Sequence, residues 1–165
     1  MRLGSRPPIV AALAALLLLA ACAPRDRTPG LWLPGELVSE PVSDWSFTDA
    51  VQEIFVETRT WYGIPHSVTT VCADDGADLF VPSVYYEGGG FPEARFWNRN
   101  VARDPRVRLG IDGRLYERKA VLVTDPAERA RALAAFARKY PFWAEFAAKP
   151  EAERPNVAFL RMDPR

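Results

Sequence analysis

The chain has 165 residues, 48% of them hydrophobic, and its 21 basic and 21 acidic side chains cancel to a formal net charge of zero. That length suits one domain with a core of its own, and the charge balance gives no electrostatic footprint for nucleic acid. One histidine and two cysteines exclude a histidine-rich zinc site and a disulfide framework.

Arg2 and Arg6 form a positive start, followed by an apolar run of mostly Ala and Leu from Ile9 to Leu19. The run is about half of the roughly 20 residues needed to span a bilayer, so it reads as the apolar region of an export signal. It ends in Leu19-Ala20-Ala21-Cys22, which resembles the bacterial lipobox: Leu, two small residues and a Cys whose thiol takes the lipid. A signal peptide over residues 1–21 and a lipid on Cys22 are therefore expected. Without residues 1–21, two Arg and no acid are lost, leaving 19 basic and 21 acidic groups. Ala23 follows where Asp would retain a Gram-negative lipoprotein in the inner membrane, so a lipid-anchored place in the cell envelope is expected, in a Gram-negative cell the periplasmic face of the outer membrane. Cys72 becomes the remaining thiol, in an apolar stretch that predicts a buried core residue.

Residues 22–41 carry four prolines among polar residues and read as a stiff tether. Trp32, Leu33, Leu37 and Val38 within it predict that part of the tether lies on the domain surface. Residues 42–165 form the domain. Strands are expected over Gln52–Thr58, His66–Ala73 and Asp78–Ser83, with Asp75-Gly76 as a hairpin signal. A helix is expected near Pro92–Ala102. Val107, Leu109 and Ile111 alternate with polar or small residues, and Asp112-Gly113 turns the chain into a long strand, Arg114 to about Thr124. Asp125, Pro126 and Glu128 compose a helix start, Leu133, Phe136, Ala137 and Tyr140 follow at helical spacing, and Pro141 ends the run. A short amphipathic piece over Phe142–Ala147 and a last strand over Val157–Met162 complete the order. Arg118 and Lys119 are adjacent in the long strand, so one faces the apolar side; it is expected at an open end or against a carboxylate. The fold class is mostly β (α+β), an antiparallel barrel with two or three helices.

No phosphate-cradling P-loop and no dinucleotide glycine fingerprint is present. His66 and Ser67 are neighbours on a strand and point to opposite faces, so they cannot pair as base and nucleophile. His66 is the one imidazole available to a heme. Gly88-Gly89-Gly90 precedes a helix whose start could bind phosphate.

Trp97-Asn98-Arg99-Asn100-Val101-Ala102-Arg103-Asp104-Pro105-Arg106-Val107 resembles a recurring segment of the flavin and deazaflavin split-barrel proteins. These are the pyridoxamine-5'-phosphate-oxidase-like superfamily, including the deazaflavin-dependent nitroreductases. The hairpin and acid-capped helix that follow keep the same order. The resemblance implies a split β-barrel, a flavin-type cofactor and a homodimer. It places Ser83 where a family serine meets the cofactor phosphate or its surroundings, and Gly63–Val68 under the ring. Arg59, Ser83 and Arg95 would then hold phosphate, His66 and Ser67 would line the ring or substrate space, and Trp97 with Asn100 would position the helix. The nitroreductase turn Gly-Arg-Lys-Ser-Gly is here Arg59-Thr60-Trp61-Tyr62-Gly63, which favours FMN over deazaflavin as cofactor. The expected function is that of an anchored lipoprotein with a flavin-binding barrel, read as an FMN-dependent oxidoreductase. The alternative is a cofactor-free barrel serving the envelope as a binding or structural module.

Cell fractionation with mass spectrometry of the mature N-terminus checks the anchor. The parent is expected in the membrane fraction with Cys22 acylated, and Cys22→Ala is expected to lose the acyl group. A soluble, unacylated parent overturns the reading.

Overall fold

The computed structural model describes residues 30–165. The expected signal peptide and the first part of the expected tether lie outside these residues. The described chain forms eight strands and three α-helices. In order they are β1 (Glu36–Leu37), β2 (Ile54–Arg59), β3 (Pro65–Thr70), β4 (Ala73–Asp74), β5 (Leu79–Tyr85), α1 (Phe96–Arg103), β6 (Arg106–Ile111), β7 (Arg114–Leu122), α2 (Pro126–Lys139), α3 (Pro141–Ala148) and β8 (Asn156–Pro164). The strands run β3-β2-β6-β7-β8-β5-β4 across one curved sheet, with β1 beside β7. All pairings are antiparallel except the short parallel contact of β1 with β7. The result is a split barrel of the α+β class. β3 and β5 curl toward each other without becoming hydrogen-bonded neighbours.

Local sequence accounts for most of the elements. Asp112 and Gly113 both take positive φ, 48° and 74°. That is the two-residue turn whose twist suits a right-handed hairpin, and it sets Ile111 opposite Arg114. The α2 start is capped by Asp125, which accepts from the Glu128 amide at 2.8 Å, with Pro126 in the first turn. α1 begins at Phe96 rather than Pro92. Residues 91–95 form a turn closed by Ala94 N–H to Gly90 O at 3.0 Å, and Arg95 is extended.

Alternation along β2, β6 and β7 sends Ile54, Val56, Val107, Leu109, Tyr116 and Ala120 into the barrel, where they meet Trp97 and Val101 of α1. A second apolar layer lies under α2 and α3, with Phe136, Trp143 and Phe159 at its centre. Cys72 is a buried free thiol of the barrel core. Burial pushes its pKa up, so the thiolate is disfavoured.

Arg118 departs from expectation. It lies on the apolar side of β7, buried, and no carboxylate among the described residues pairs with it. Its guanidinium sits 4.9 Å from the Trp45 ring centroid and donates weakly to Glu117 O at 3.4 Å. The aromatic face supplies the negative potential that a carboxylate was expected to give.

The N-terminal strap crosses the outer face of the sheet before β1. Gly30 pairs with Ser67, the Leu33 amide donates to Glu57 Oε2 at 2.7 Å, and the buried Leu33 side chain rests over Gly110. A Cβ at Gly110 would meet Leu33 Cδ1 at 3.3 Å, so the absent side chain makes the seat.

Asn100 donates from Nδ2 to Thr58 Oγ1 at 3.0 Å inside the barrel. Removing it leaves a buried hydroxyl short of a partner. Asn100→Ala is therefore expected to destabilise the fold by about 1–3 kcal/mol, measured as a lower urea midpoint with unchanged slope.

Candidate functional site

The two lips of the split are β3 and β5, and a cleft of about 400 Å³ lies along them. Val68, Thr69, Thr70 and Val71 form one lip, and Pro82, Ser83 and Val84 form the other. Arg95 and Trp97 come from the start of α1, and Phe142 and Trp143 of α3 complete the wall. Pro82 is tolerated here for a backbone reason. Arg95 donates to Val84 O from Nε at 3.3 Å and from Nη2 at 2.8 Å, so that carbonyl faces the split and not β8. Pro82 is two residues earlier and shares the orientation, so its missing N–H removes no ladder bond.

α1 ties both lips together. Asn98 is fully buried, and its Oδ1 accepts from Ser83 Oγ at 2.8 Å and from Tyr85 OH at 3.2 Å, both on β5. Asn100, two residues on and so on the opposite side of the helix, bonds to Thr58, whose hydroxyl donates to His66 O at 3.1 Å. Asn98 Nδ2 has no hydrogen-bond partner among the described residues. Burial holds the Tyr85 phenol above its ordinary pKa, so it stays protonated and donating.

The expected site residues divide into two groups. Ser83, Arg95 and Trp97 line the cleft. Arg59 does not: it is exposed at the end of β2 and lines a separate cleft with Trp32, Gly63 and Arg106. His66 is buried in the barrel with its ring edge-on to Phe96, centroids 4.8 Å apart. Ser67 faces the other side of β3 and donates to Leu31 O at 2.9 Å, under the strap. Asn100 positions α1 from within the core. Thr69, Thr70 and Asn98 were not expected. The threonines sit past the polar strand start, and their place on the lip depends on β3 being an edge, which no local pattern announces.

The cleft combines flat apolar walls, hydroxyls, the Arg95 guanidinium and, at its rim, the Glu53 carboxylate. Arg95 uses two of its five N–H donors on Val84 O and offers the others to an anion. Its volume lies within the ordinary range for small-molecule sites. Among the described residues there is no cluster of His, Cys, Asp or Glu able to hold a metal ion.

A family model for the F420H(2)-dependent quinone reductases matches residues 63–158, more than half of the chain. The chain belongs to that family. No curated relative matches the sequence. Solved structures share the split-barrel fold at low identity. The heme storage protein HutZ of Vibrio cholerae is 13% identical with a TM-score of 0.54, over 73% of this chain and 86% of that one. A Listeria innocua protein provisionally assigned as a pyridoxamine 5'-phosphate oxidase is 16% identical with a TM-score of 0.50, over 73% and 89%. A protein described as a domain-swapped dimer is 17% identical with a TM-score of 0.53, over 68% and 81%. The family match begins at Gly63, at the turn into β3, and runs through both lips and α1.

Asp104 closes the C-terminal end of α1. Arg106 donates to it from Nε at 2.8 Å, from Nη2 at 2.6 Å and from its amide at 3.2 Å. The Arg106 side chain holds the Asp104 pKa down to about 2. A depressed carboxylate adds stability above its unfolded pKa near 4 and loses it as pH falls toward 2. The melting temperature of the parent is expected to exceed that of Asp104→Asn at pH 6, with the gap closing below pH 3.

Proposed function

We propose that this protein is a membrane-anchored reductase that binds a flavin-type cofactor in the cleft across the barrel split and reduces a quinone-like acceptor. The observation that carries the reading is the joining of Arg95, Ser83 and the Thr69–Thr70 hydroxyls with the apolar walls of Val68, Val71 and Trp97 in one cleft. Such a lining suits a planar, largely apolar ring with a phosphorylated side chain. The family's name carries F420H(2) and quinone, and supports the reducing role.

When bound, the cofactor supplies hydride transfer; the protein supplies binding, orientation and electrostatics. Arg95 would hold the phosphate. Its guanidinium is already steered by the Val84 carbonyl, so little rotamer freedom remains to be lost. Ser83 gives its proton to Asn98 and is left to accept from the ligand. Trp97 is fixed by the core and holds the inner wall rigid. His66 and Asn100 act behind these residues as supports of the lip and of α1.

FMN and the deazaflavin share the chemistry this cleft recognises, a flat ring and a phosphate. The aromatic turn at Thr60–Gly63, in place of a basic one, speaks for FMN; the family name speaks for deazaflavin. The same turn favours a second reading, a barrel that has kept its shape and lost its cofactor. A homodimer is part of the proposal, supported by the domain-swapped neighbour. So is a lipid on Cys22 at the periplasmic face of the outer membrane, supported by the lipobox-like Leu19–Cys22 and by Ala23.

Titration of the full-length protein in mild detergent with FMN, F420, riboflavin and heme tests the proposal. A phosphorylated cofactor is expected to bind, FMN better than riboflavin, and heme not at all through the buried His66. Arg95→Ala is expected to weaken binding by about 1.5–3 kcal/mol, the range for a hydrogen bond to a charged group. Folded protein that binds neither FMN nor F420 overturns the cofactor reading in favour of the cofactor-free module.

A further inference from the structure

The β2–β3 turn and the strap before β1 expose large apolar side chains at one place on the surface. Trp61 is 77% exposed and Trp32 62%, and Leu31, Tyr62 and Ile64 are exposed beside them. Several contacts bring them together. Gly30 pairs with Ser67, and Ser67 Oγ donates to Leu31 O. Trp32 shares a cleft with Gly63 and Pro65, and the Trp61 and Tyr62 rings meet edge-on with centroids 5.3 Å apart.

The turn is built to hold these rings outward. Gly63 takes φ +85°, and its amide donates to Thr60 O at 3.3 Å. The Thr60 hydroxyl donates back to the Ile64 carbonyl, so the buried Thr60 anchors the loop while Trp61 and Tyr62 project. Single exposed aromatics are ordinary, but a contiguous group marks an interaction surface. Arg59 and Arg103 flank the group, the Arg103 guanidinium donating to the Arg59 carbonyl. Neither makes an ion pair among the described residues.

We propose that this aromatic cluster docks on a phospholipid membrane surface, with the indole and phenol rings at headgroup level and Arg59 and Arg103 on anionic lipid phosphates. Trp and Tyr have an apolar body and a polar edge, the combination that favours the membrane–water boundary. The adjacent arginines add attraction to an anionic leaflet. The position of the chain agrees. Cys22 precedes Gly30 by eight residues, a length that spans at most about 28 Å even when fully extended. A lipid on Cys22 thus brings the membrane to the side of the barrel that bears the cluster. The proposal rests on the reading of Cys22 as lipid-anchored.

The test uses full-length protein reconstituted in phosphatidylcholine–phosphatidylglycerol vesicles that include a brominated phosphatidylcholine, which quenches tryptophan on contact. Trp45, Trp97 and Trp143 are buried in the protein core, so quenching reads Trp32 and Trp61. Emission from the parent is expected to be quenched. The double variant Trp32→Ser, Trp61→Ser is expected to lose the quenching while keeping the near-ultraviolet dichroism of its core. Mass spectrometry of the same sample reads acylation of Cys22 independently. Acylated, vesicle-bound protein with unquenched emission overturns the docking and leaves the anchor standing; an unacylated parent overturns the anchor on which the proposal rests. Unquenched emission together with a dimer that becomes a monomer in the double variant would assign the cluster to a second copy of this chain and also overturn the proposal.

Discussion

Asn98 and Asn100 point to opposite sides of α1, and the open state of the barrel depends on that pair. A sheet with two free edges either closes on itself or needs something to hold the edges apart. Here an eight-residue helix does so, too short to persist by its own propensity. Trp97 and Val101 bury its apolar stripe in the barrel. Asn98 fastens it to Ser83 and Tyr85 on one lip, and Asn100 to Thr58 behind the other. Each bond is sequestered from water, where leaving a polar partner unmatched is more costly than the bond is favourable. The cleft is thus held by side chains fixed from behind, the condition for a ligand to find its contacts already arranged.

The opposite side of the sheet is closed by the strap. Its residues have no helical or strand periodicity, yet Leu33 is buried because Gly110 leaves room for it. Glu57 is drawn into the same contact, accepting from the Leu33 amide while Arg108 approaches its other oxygen at 3.5 Å. β1 then pairs with β7 at Arg114 and Leu115, beyond the stretch of β7 that pairs with β8. Among the described residues the strap meets β3 at Ser67, and the lip residues Thr69 and Thr70 lie further along the same strand.

Much of this architecture is legible in the sequence wherever a local rule acts alone. Alternation through Val107, Leu109 and Ile111, the Asp112-Gly113 turn and the Asp125 cap each carry their own geometry. The two-residue strands β1 and β4 and the 3₁₀ turn over Ser46–Ala50 carry no such signal, because they exist through their partners. Arg118 shows the same limit. Its neighbours in sequence say that it faces the core, but its partner Trp45 is reached only through the fold. Ser83, Arg95 and Trp97 were accessible through the resemblance around Trp97–Val107. The separation of Arg59 from them was not, because it follows from the parity of β2: Thr58 faces in and Arg59 faces out.

That separation explains how this chain differs from the basic-turn pattern it resembles. In that pattern positive charge comes from the β2–β3 turn, and the position of Arg95 is often a proline. Here the turn holds Thr60, Trp61 and Tyr62, and the cleft's guanidinium comes from the extended residue just before α1. Arg95 reaches the lip because its backbone is extended rather than helical; one turn later the side chain would be carried round the helix. Its anchor on Val84 O lies on the same edge that Pro82 leaves without a donor. The guanidinium that lines the cleft thus stands on the β5 side of the split, while the β2–β3 turn presents exposed aromatic side chains.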